Sequence, residues 1–488
     1  MGAFPRHGCR DVRGAMYIFE ERKAELMTGD TIAAVSTPRG KGGVALLRVS
    51  GPDALRIGGE VFCPKNGRPL AQSPARTAVY GSIYAVEPDG SRVAVDDGLA
   101  TVFPAPASYT GEDTVEICCH GGILLTETVL SALLAAGARP AGPGEFTRRA
   151  FLNGKLGLSA AEALADLLEA QTRDQLLLAH SGMGGATQSR CGELYERLRR
   201  ILASVYVCID YPDEDLAEMS RDELIAAMQS CAHDLQELCR SYRTGHAVAE
   251  GLRTVICGKP NVGKSALFNR LLGREAAIVT DVEGTTRDVL RGTASLGGVT
   301  LLLSDTAGIH ETGDTVERIG VERAKSELEQ AELTLAVFDA SREPDDADRA
   351  LFALLARQSG EVIALLGKCD LPQTCADAYR ARFRHCLPVS ARSGEGLPEL
   401  AGLVERLFLD GRLDIRQDAV LTNARQYAAA VRAQRAMEES LEAFRIGEPI
   451  DVCCAGAEEA MAVLGELDGR AVSEELVSEI FSHFCVGK

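Results

Sequence analysis

The chain has 488 residues, 46% hydrophobic and 25% charged, too long for one compact core and rich enough in apolar residues for about two to four domains. Its 52 Lys and Arg against 70 Asp and Glu leave a net charge of −18, which excludes sequence-independent nucleic-acid binding over the whole surface, so an RNA contact needs a local basic patch or a partner. No apolar run is long enough to cross a bilayer, and 15 cysteines with no Cys-x-x-Cys pair fit a reducing, cytoplasmic setting.

Residues 1–28 carry Arg6, Arg10 and Arg13 but also Glu20, Glu21 and Glu25, and lack an apolar signal core. They read as a disordered extension or a mis-assigned start, with Met27 an alternative first residue. From 29 to 147 the sequence reads as a mixed α/β domain. Its short strands are Ile32–Val35, Val44–Val49, Ala78–Ile83, Gly98–Val102 and Val115–Cys118, and a helix from Ile123 to Ala136 ends at Gly137. From 148 to 250 Ala, Leu, Glu and Arg recur at helical spacing, with a break at Tyr211-Pro212-Asp213. Strand–helix alternation then runs from 251 to 411, and 412–488 is helical again. The last stretch is too short for a core of its own and is expected to pack on the first helical block, making the α/β domain an insertion. Cys63, Cys208, Cys231 and Cys257 read as small buried hydrophobes, and Leu301-Leu302-Leu303 as a buried strand.

The inserted domain opens on a strand, Arg253–Cys257, that runs into Gly258-Lys-Pro-Asn261-Val262-Gly263-Lys264-Ser265 and a helix beginning at Ala266. This is the phosphate-loop pattern G-x-x-x-x-G-K-S/T in its strand–loop–helix context. Backbone amides and the helix N-terminus favour phosphate, Lys264 reaches the β and γ phosphates, and Ser265 ligates magnesium. Further along, Gly284-Thr285-Thr286 supplies a switch threonine for the magnesium shell. Leu301–Asp305-Thr306-Ala307-Gly308 ends a strand in Asp-x-x-Gly. Gly367-Lys368-Cys369-Asp370 and Ser390-Ala391-Arg392 follow two more strands. The order is that of the GTPases, with Asp370 accepting from guanine N1 and N2, a pairing adenine cannot make. Gly367 stands where GTPases usually have Asn, which is expected to weaken nucleotide affinity. Ile309 stands where many carry a water-orienting Gln, so hydrolysis needs another orienter and another source of charge. Glu311, Asp314 and Glu317 are the nearby acids.

Several separate segments then carry a resemblance. They are Thr37–Gly51 (TPRGKGGVALLRVSG), Ser108–Glu116 (SYTGEDTVE), His120-Gly-Gly122, Gly142–Thr147 (GPGEFT), Ala150–Leu156 (AFLNGKL) and Phe484-Cys485-Val-Gly-Lys488. In this order around a GTPase domain, they resemble the tRNA modification GTPases of the MnmE (TrmE) family. The resemblance implies a multidomain α/β plus α protein. It would have a folate-binding-like N-terminal domain that dimerises, a discontinuous helical domain and an inserted Ras-like P-loop GTPase domain. It implies a tetrahydrofolate derivative (5-formyl or 5,10-methylene) contacted by Arg48, Glu116, Lys155 and Lys488. It also implies potassium-stimulated hydrolysis, with the ion held by Asn261, Thr280, Val282 and Thr285, and Glu317 orienting water. Val262, Gly263, Ala266, Asp281, Glu283 and Gly284 join the GTP-binding set, Ser265 and Thr286 the magnesium set, and Cys485 takes an unassigned role. His310 stands where the family usually has Arg. The implied activity, shared with an FAD-carrying MnmG partner in a heterotetramer, modifies carbon-5 of the wobble uridine of certain tRNAs to a (carboxymethyl)aminomethyl group. The rival reading is a GTPase assembly or signalling switch without modification chemistry. From its sequence position, Cys485 could be either a reactive thiol or a buried hydrophobe.

Overall fold

The computed structural model describes residues 29–87, 90–210, 219–273, 291–305, 326–370, 375–470, 473–482 and 484–487; at 208–210, 291, 305, 474 and 475 only the backbone. The chain divides into two compact units, Met1–Ala165 with Gly465–Lys488, and Asp166–Leu464. The first therefore takes in segments at both ends of the helical stretches read from composition.

The first unit is built from β1 (Ile32–Val35), β2 (Val44–Ser50), α1 (Ala54–Val61), β3 (Phe62–Pro64), β4 (Val79–Val86), β5 (Arg92–Phe103), β6 (Thr114–His120), α2 (Ile123–Ala135), β7 (Arg139–Pro140) and α3 (Glu145–Leu152). Its seven strands lie in the order β3-β4-β5-β6-β2-β1-β7. Alternate residues of β2 and β6, among them Leu47, Val49, Val115 and Ile117, bury against Ile57 of α1 and Val129 and Leu133 of α2. That is the one-sided burial expected of a largely antiparallel sheet. Arg48 and Glu116, in register across β2 and β6, point to the other face. Arg149 is buried beneath this region, with its guanidinium bonded to Asp30, Glu112 and Glu145. The C-terminal tail returns to the sheet: Val486 bridges Pro143, and the Gly487 carbonyl accepts from Ser36 Oγ at 3.0 Å.

In the second unit α4 (Arg173–Met183), α5 (Ala186–Asp210) and α6 (Arg221–Ala249) precede the α/β domain, and α10 (Ala424–Ile446) follows it. α4 and α6 start on Thr172 and Ser220 capping boxes. The segment leading into α10 passes α6 so closely that a Cβ at Gly245 would stand 1.9 Å from the Leu421 carbonyl, and α10 itself packs on α6, where the Tyr242 and Tyr427 rings stack at 4.3 Å. The α/β domain comprises β8 (Leu252–Cys257), α7 (Lys264–Leu272), β9 (Arg291–Leu296), β10 (Val299–Asp305), β11 (Leu333–Asp339), α8 (Asp346–Leu355), β12 (Glu361–Gly367), β13 (His385–Val389) and α9 (Leu397–Phe408). Its six strands run β13-β12-β11-β8-β10-β9, all parallel except β9. Apolar cores cover both faces, as a parallel sheet requires.

Two burial expectations are corrected. Leu302 is 38% exposed between the buried Leu301 and Leu303: it faces the other side of the sheet, where the buried core draws on β8, β11 and β12 but, among the described residues, not on β10. Cys63 is likewise exposed, at the centre of β3 and on the face opposite its buried neighbours, whereas Cys231 and Cys257 are buried as expected.

α6 leads straight into β8, and the joint is pinned. Thr300 Oγ1 donates to the Val248 carbonyl at 2.8 Å, and Ser295 Oγ donates to Asp174 at 3.3 Å. His246 lies between two carboxylates, Nδ1 3.0 Å from Glu250 and Nε2 2.8 Å from Glu332. Its hydrogen bonds to Glu250 and then to Glu332 push its pKa up to about 9 from 6.5. A raised histidine pKa stabilises fully below the unfolded value and loses that effect as pH rises through the folded one. Stability is therefore expected to fall between about pH 6.5 and about pH 9 by roughly 1 kcal/mol, discounted for the partly exposed glutamates. Thermal midpoints across that window should slope downward in the parent and lose that slope in His246→Gln.

Candidate functional site

A parallel sheet with this strand order binds ligands outside the C-terminal ends of its strands, where the order reverses. β8, β10, β12 and β13 all point that edge the same way, with Ile256 beside Asp305 and Gly367 beside Val389. The phosphate-loop and base-loop residues that the sequence singles out, where described, stand at those ends.

The loop after β8 is shaped by its backbone. Gly258 has φ +145°, and a Cβ there would lie 2.3 Å from the Val337 carbonyl, so only glycine fits. Asn261 at φ +62° and Gly263 at φ +106° complete a run of left-handed turns that aims successive amides inward. Val262 is 2% exposed and anchors the loop in the core. α7 starts at Lys264, two residues earlier than the expected Ala266, so Lys264 and Ser265 occupy its first turn, where the free amides and the dipole attract anions. Lys264 is 6% exposed, and its Nζ donates to the Lys259 carbonyl at 2.8 Å.

The base loop follows β12. Lys368, at φ +60°, turns the chain so that Asp370 is exposed beyond it. Lys368 Nζ pairs with Asp339, at the end of β11, at 3.0 Å. Burial acts to raise the Asp339 carboxyl, but hydrogen bonds from Ser341 and then Lys368 outweigh it and hold it at about 2. The neighbouring loop after β13 joins in: the Cys369 amide donates to the Val389 carbonyl at 3.5 Å, the Ser390 amide to the Glu395 carbonyl at 3.0 Å, and the Ser393 amide to Ser390 Oγ at 3.2 Å. Ala391 and Arg392 continue this loop. A Cβ at Gly367 would stand 3.0 Å from the Val262 carbonyl, so this position borders both loops. Asp339 was missing from the sequence-based set, although an acid closing the apolar run Leu333–Phe338 was a signal available there.

Asp305 closes β10, described by its backbone alone. Thr280, Asp281, Val282, Glu283, Gly284, Thr285, Thr286, Thr306, Ala307, Gly308, His310, Glu317 and Lys488 lie outside the described residues.

A second cluster lies in the first unit. Glu116 bonds Arg48 Nε at 2.9 Å and Nη2 at 2.8 Å, and the guanidinium carbon lies 5.3 Å from the Tyr109 ring centre and 5.5 Å from that of Phe146. Tyr109 Oη is 2.9 Å from Thr147 Oγ1. Asn153 Nδ2 donates to the Thr110 carbonyl at 2.7 Å, and Lys155 Nζ to the Pro106 carbonyl at 2.9 Å. One loop, 104–113, thus connects Arg48 and Glu116 with Lys155. Tyr109 and Phe146, aromatic walls of this cluster, were not singled out in the sequence. Cys485 is exposed, which overturns the buried-hydrophobe reading, and its carbonyl accepts from the Gly144 amide at 3.4 Å.

Two family models match the chain: the N-terminus of the GTP-binding protein TrmE over residues 31–155 and the MnmE helical domain over 158–485. The tRNA modification GTPase MnmE of Carboxydothermus hydrogenoformans is 40% identical over 466 residues, 95% of this chain and all of that protein. The chain belongs to the MnmE family. Its relative of the same name in Symbiobacterium thermophilum is 41% identical over 465 residues, again 95% of this chain and 100% of that one. Among solved structures, Era of Aquifex aeolicus bound to GDP and AlF4 is 27% identical, with 38% of this chain and 66% of that chain covered at a TM-score of 0.27. The FeoB G domain of Thermotoga maritima is 24% identical, with 31% and 96% covered at 0.25. MnmE-family membership fixes the architecture as multidomain α/β plus α, with a TrmE-type N-terminus, a helical domain and a P-loop α/β domain. No helix among the described residues is long and apolar enough to cross a membrane.

Proposed function

We propose that this chain is a GTP-hydrolysing switch of tRNA modification. Its substrate would be the wobble uridine of certain tRNAs, altered at carbon-5 to a (carboxymethyl)aminomethyl group together with an MnmG-type FAD protein. The observation that carries the reading is the convergence, at one edge of one parallel sheet, of the Lys264 phosphate loop and the Asp370 base loop in an MnmE-family chain. The relatives' shared name, tRNA modification GTPase, supports it.

In this reading the amides of Asn261–Ala266 hold the phosphates, and Lys264 moves from the Lys259 carbonyl onto them. Ser265 and Thr286 hold magnesium, with Asp305 behind it. Thr306–Gly308 face the terminal phosphate, while Lys368, Ser390, Ala391 and Arg392 frame the base beside Asp370. Glu317 orients the attacking water. Potassium would supply positive charge against the developing negative charge of the transferring phosphate. Asn261 suits it, since it supplies a neutral side-chain oxygen from within the loop, and Thr280, Val282 and Thr285 would complete the set. The Arg48–Glu116 pair between two aromatic rings, with Lys155 on the same loop, fits a flat, anionic folate. Cations would take its carboxylates and Glu116 its ring donors, with Lys488 and Cys485 at the tail. A tetrahydrofolate derivative would supply the one-carbon unit.

Nucleoside mass analysis of tRNA from cells with and without the protein tests the reading: the modified wobble uridine is expected to disappear without it. An unchanged modification profile would favour the assembly-factor alternative. GTP turnover is expected to fall at least about tenfold when sodium replaces potassium, and equal rates in the two salts would remove the potassium assignment.

A further inference from the structure

Lys259, the second residue of the phosphate loop, does something the loop pattern does not require. Its ammonium lies 2.7 Å from Asp345 and 2.5 Å from Asp348. Both acids sit at the N-terminus of α8. Asp345 is the N-cap and accepts the amides of Ala347 and Asp348 at 3.1 Å, while Asp348 accepts the Asp345 amide at 3.1 Å, a reciprocal capping box. The Asp348 side chain is 1% exposed, and its Oδ1 is buried without a hydrogen-bond partner among the described residues. Burying a carboxylate this deeply is costly unless a cation faces it. The described ion pairs give Asp348 one such cation, and it comes from the phosphate loop. The amide groups at the start of α8 add to the balance.

The same residue is tied to the catalytic lysine, since its carbonyl accepts Lys264 Nζ at 2.8 Å. Between Lys259 and the buried Val262 lie Pro260, with its fixed φ, and Asn261 at φ +62°. The loop therefore has two anchors, one apolar in the core and one ionic on the neighbouring helix. We propose that Lys259 is a positioning residue of the nucleotide site: clamped by Asp345 and Asp348, it fixes the loop's entrance to α8 and holds the carbonyl on which Lys264 rests. This inference rests on the GTP reading above. A lysine so placed could instead swing out and bind phosphate itself. Two carboxylates at hydrogen-bond distance largely cancel its charge, so the anchoring role prevails.

The test uses full-length protein and GTP turnover in potassium buffer. Loosening the entrance lowers ground-state and transition-state binding alike, so Lys259→Met is expected to raise KM for GTP at least about tenfold with kcat within about twofold. Lys259→Arg should restore KM to within about threefold of the parent. A Lys259→Met KM within about twofold of the parent, or a fall in kcat at unchanged KM, overturns the proposal. If Lys259→Met fails to fold because Asp348 is left charged, the double change Asp345→Asn with Asp348→Asn decides instead. That change removes the clamp and frees the ammonium. A raised KM supports anchoring, whereas an unchanged or lowered KM means that Lys259 is not held for positioning and overturns it. A parent chain with no preference for GTP over ATP would refute the GTP reading itself, whatever the Lys259 variants do.

Discussion

Lys264→Ala is expected to reduce GTP turnover at least about a thousandfold, with the fold intact. The ammonium stands in the first turn of α7 at 6% exposure, where the lowered dielectric makes its attraction for phosphate far stronger than in water. No other lysine of the loop can replace it, because Lys259 is paired with Asp345 and Asp348. The substitution removes a buried charge and leaves the Lys259 carbonyl without that donor, near a loop edge that water reaches. The thermal midpoint should therefore change little, which separates loss of chemistry from loss of structure. Phosphate release at saturating GTP, measured beside the midpoint, decides the matter. A variant keeping a tenth of parental turnover would show that the amides alone carry catalysis.

The nucleotide site was legible in the sequence where its residues are contiguous. Gly258–Ser265 imposes its own geometry through two glycines and a helix start, and apolar runs ending in Asp305 and Gly367 could be recognised as buried strands. What the sequence did not disclose is pairing between distant residues. Arg48, Glu116, Lys155 and Lys488 were expected as folate contacts by resemblance, each with an alternative as a member of some surface ion pair. That Arg48 and Glu116 are cross-strand neighbours in an ion pair depends on the register of β2 on β6, which local pattern does not encode. The Lys259 clamp was missed for the same reason, whereas Asp339 was overlooked at the end of a recognisable strand.

Glycine misled the reading elsewhere. Ala54–Val61, which contains Gly58 and Gly59, was assigned no element from the sequence, yet it is a helix. A Cβ at Gly58 would come within 3.0 Å of Val115, so the glycine is there for close packing on the sheet. Gly98 looked like the start of a strand but lies inside β5, opposite Gly81, where a side chain would meet the Cys118 carbonyl at 2.2 Å. In both cases tertiary proximity outweighed the local turn preference.

Asp370→Asn is expected to exchange guanine for xanthine as the preferred base. An ionised carboxylate is acceptor-only, so it suits the N1–H and N2 amino donors of guanine. Two charge-assisted hydrogen bonds of roughly 1.5–3 kcal/mol each are at stake. Their loss should weaken GTP binding by at least about a hundredfold. Xanthine carries a carbonyl where guanine carries the amino group, and an Asn amide can donate to that carbonyl while accepting from the ring N–H. The frame that holds residue 370 does not use its carboxylate: Lys368 turns the loop at φ +60° and is tied to Asp339, and Cys369 bonds the strand end at Val389. The substitution therefore changes the base-reading group and leaves its mounting in place. Affinities for GTP, XTP and ATP in parent and variant form the test. Unchanged GTP affinity in the variant would mean that another group reads the base, and equal GTP and ATP affinity in the parent would mean that nothing does.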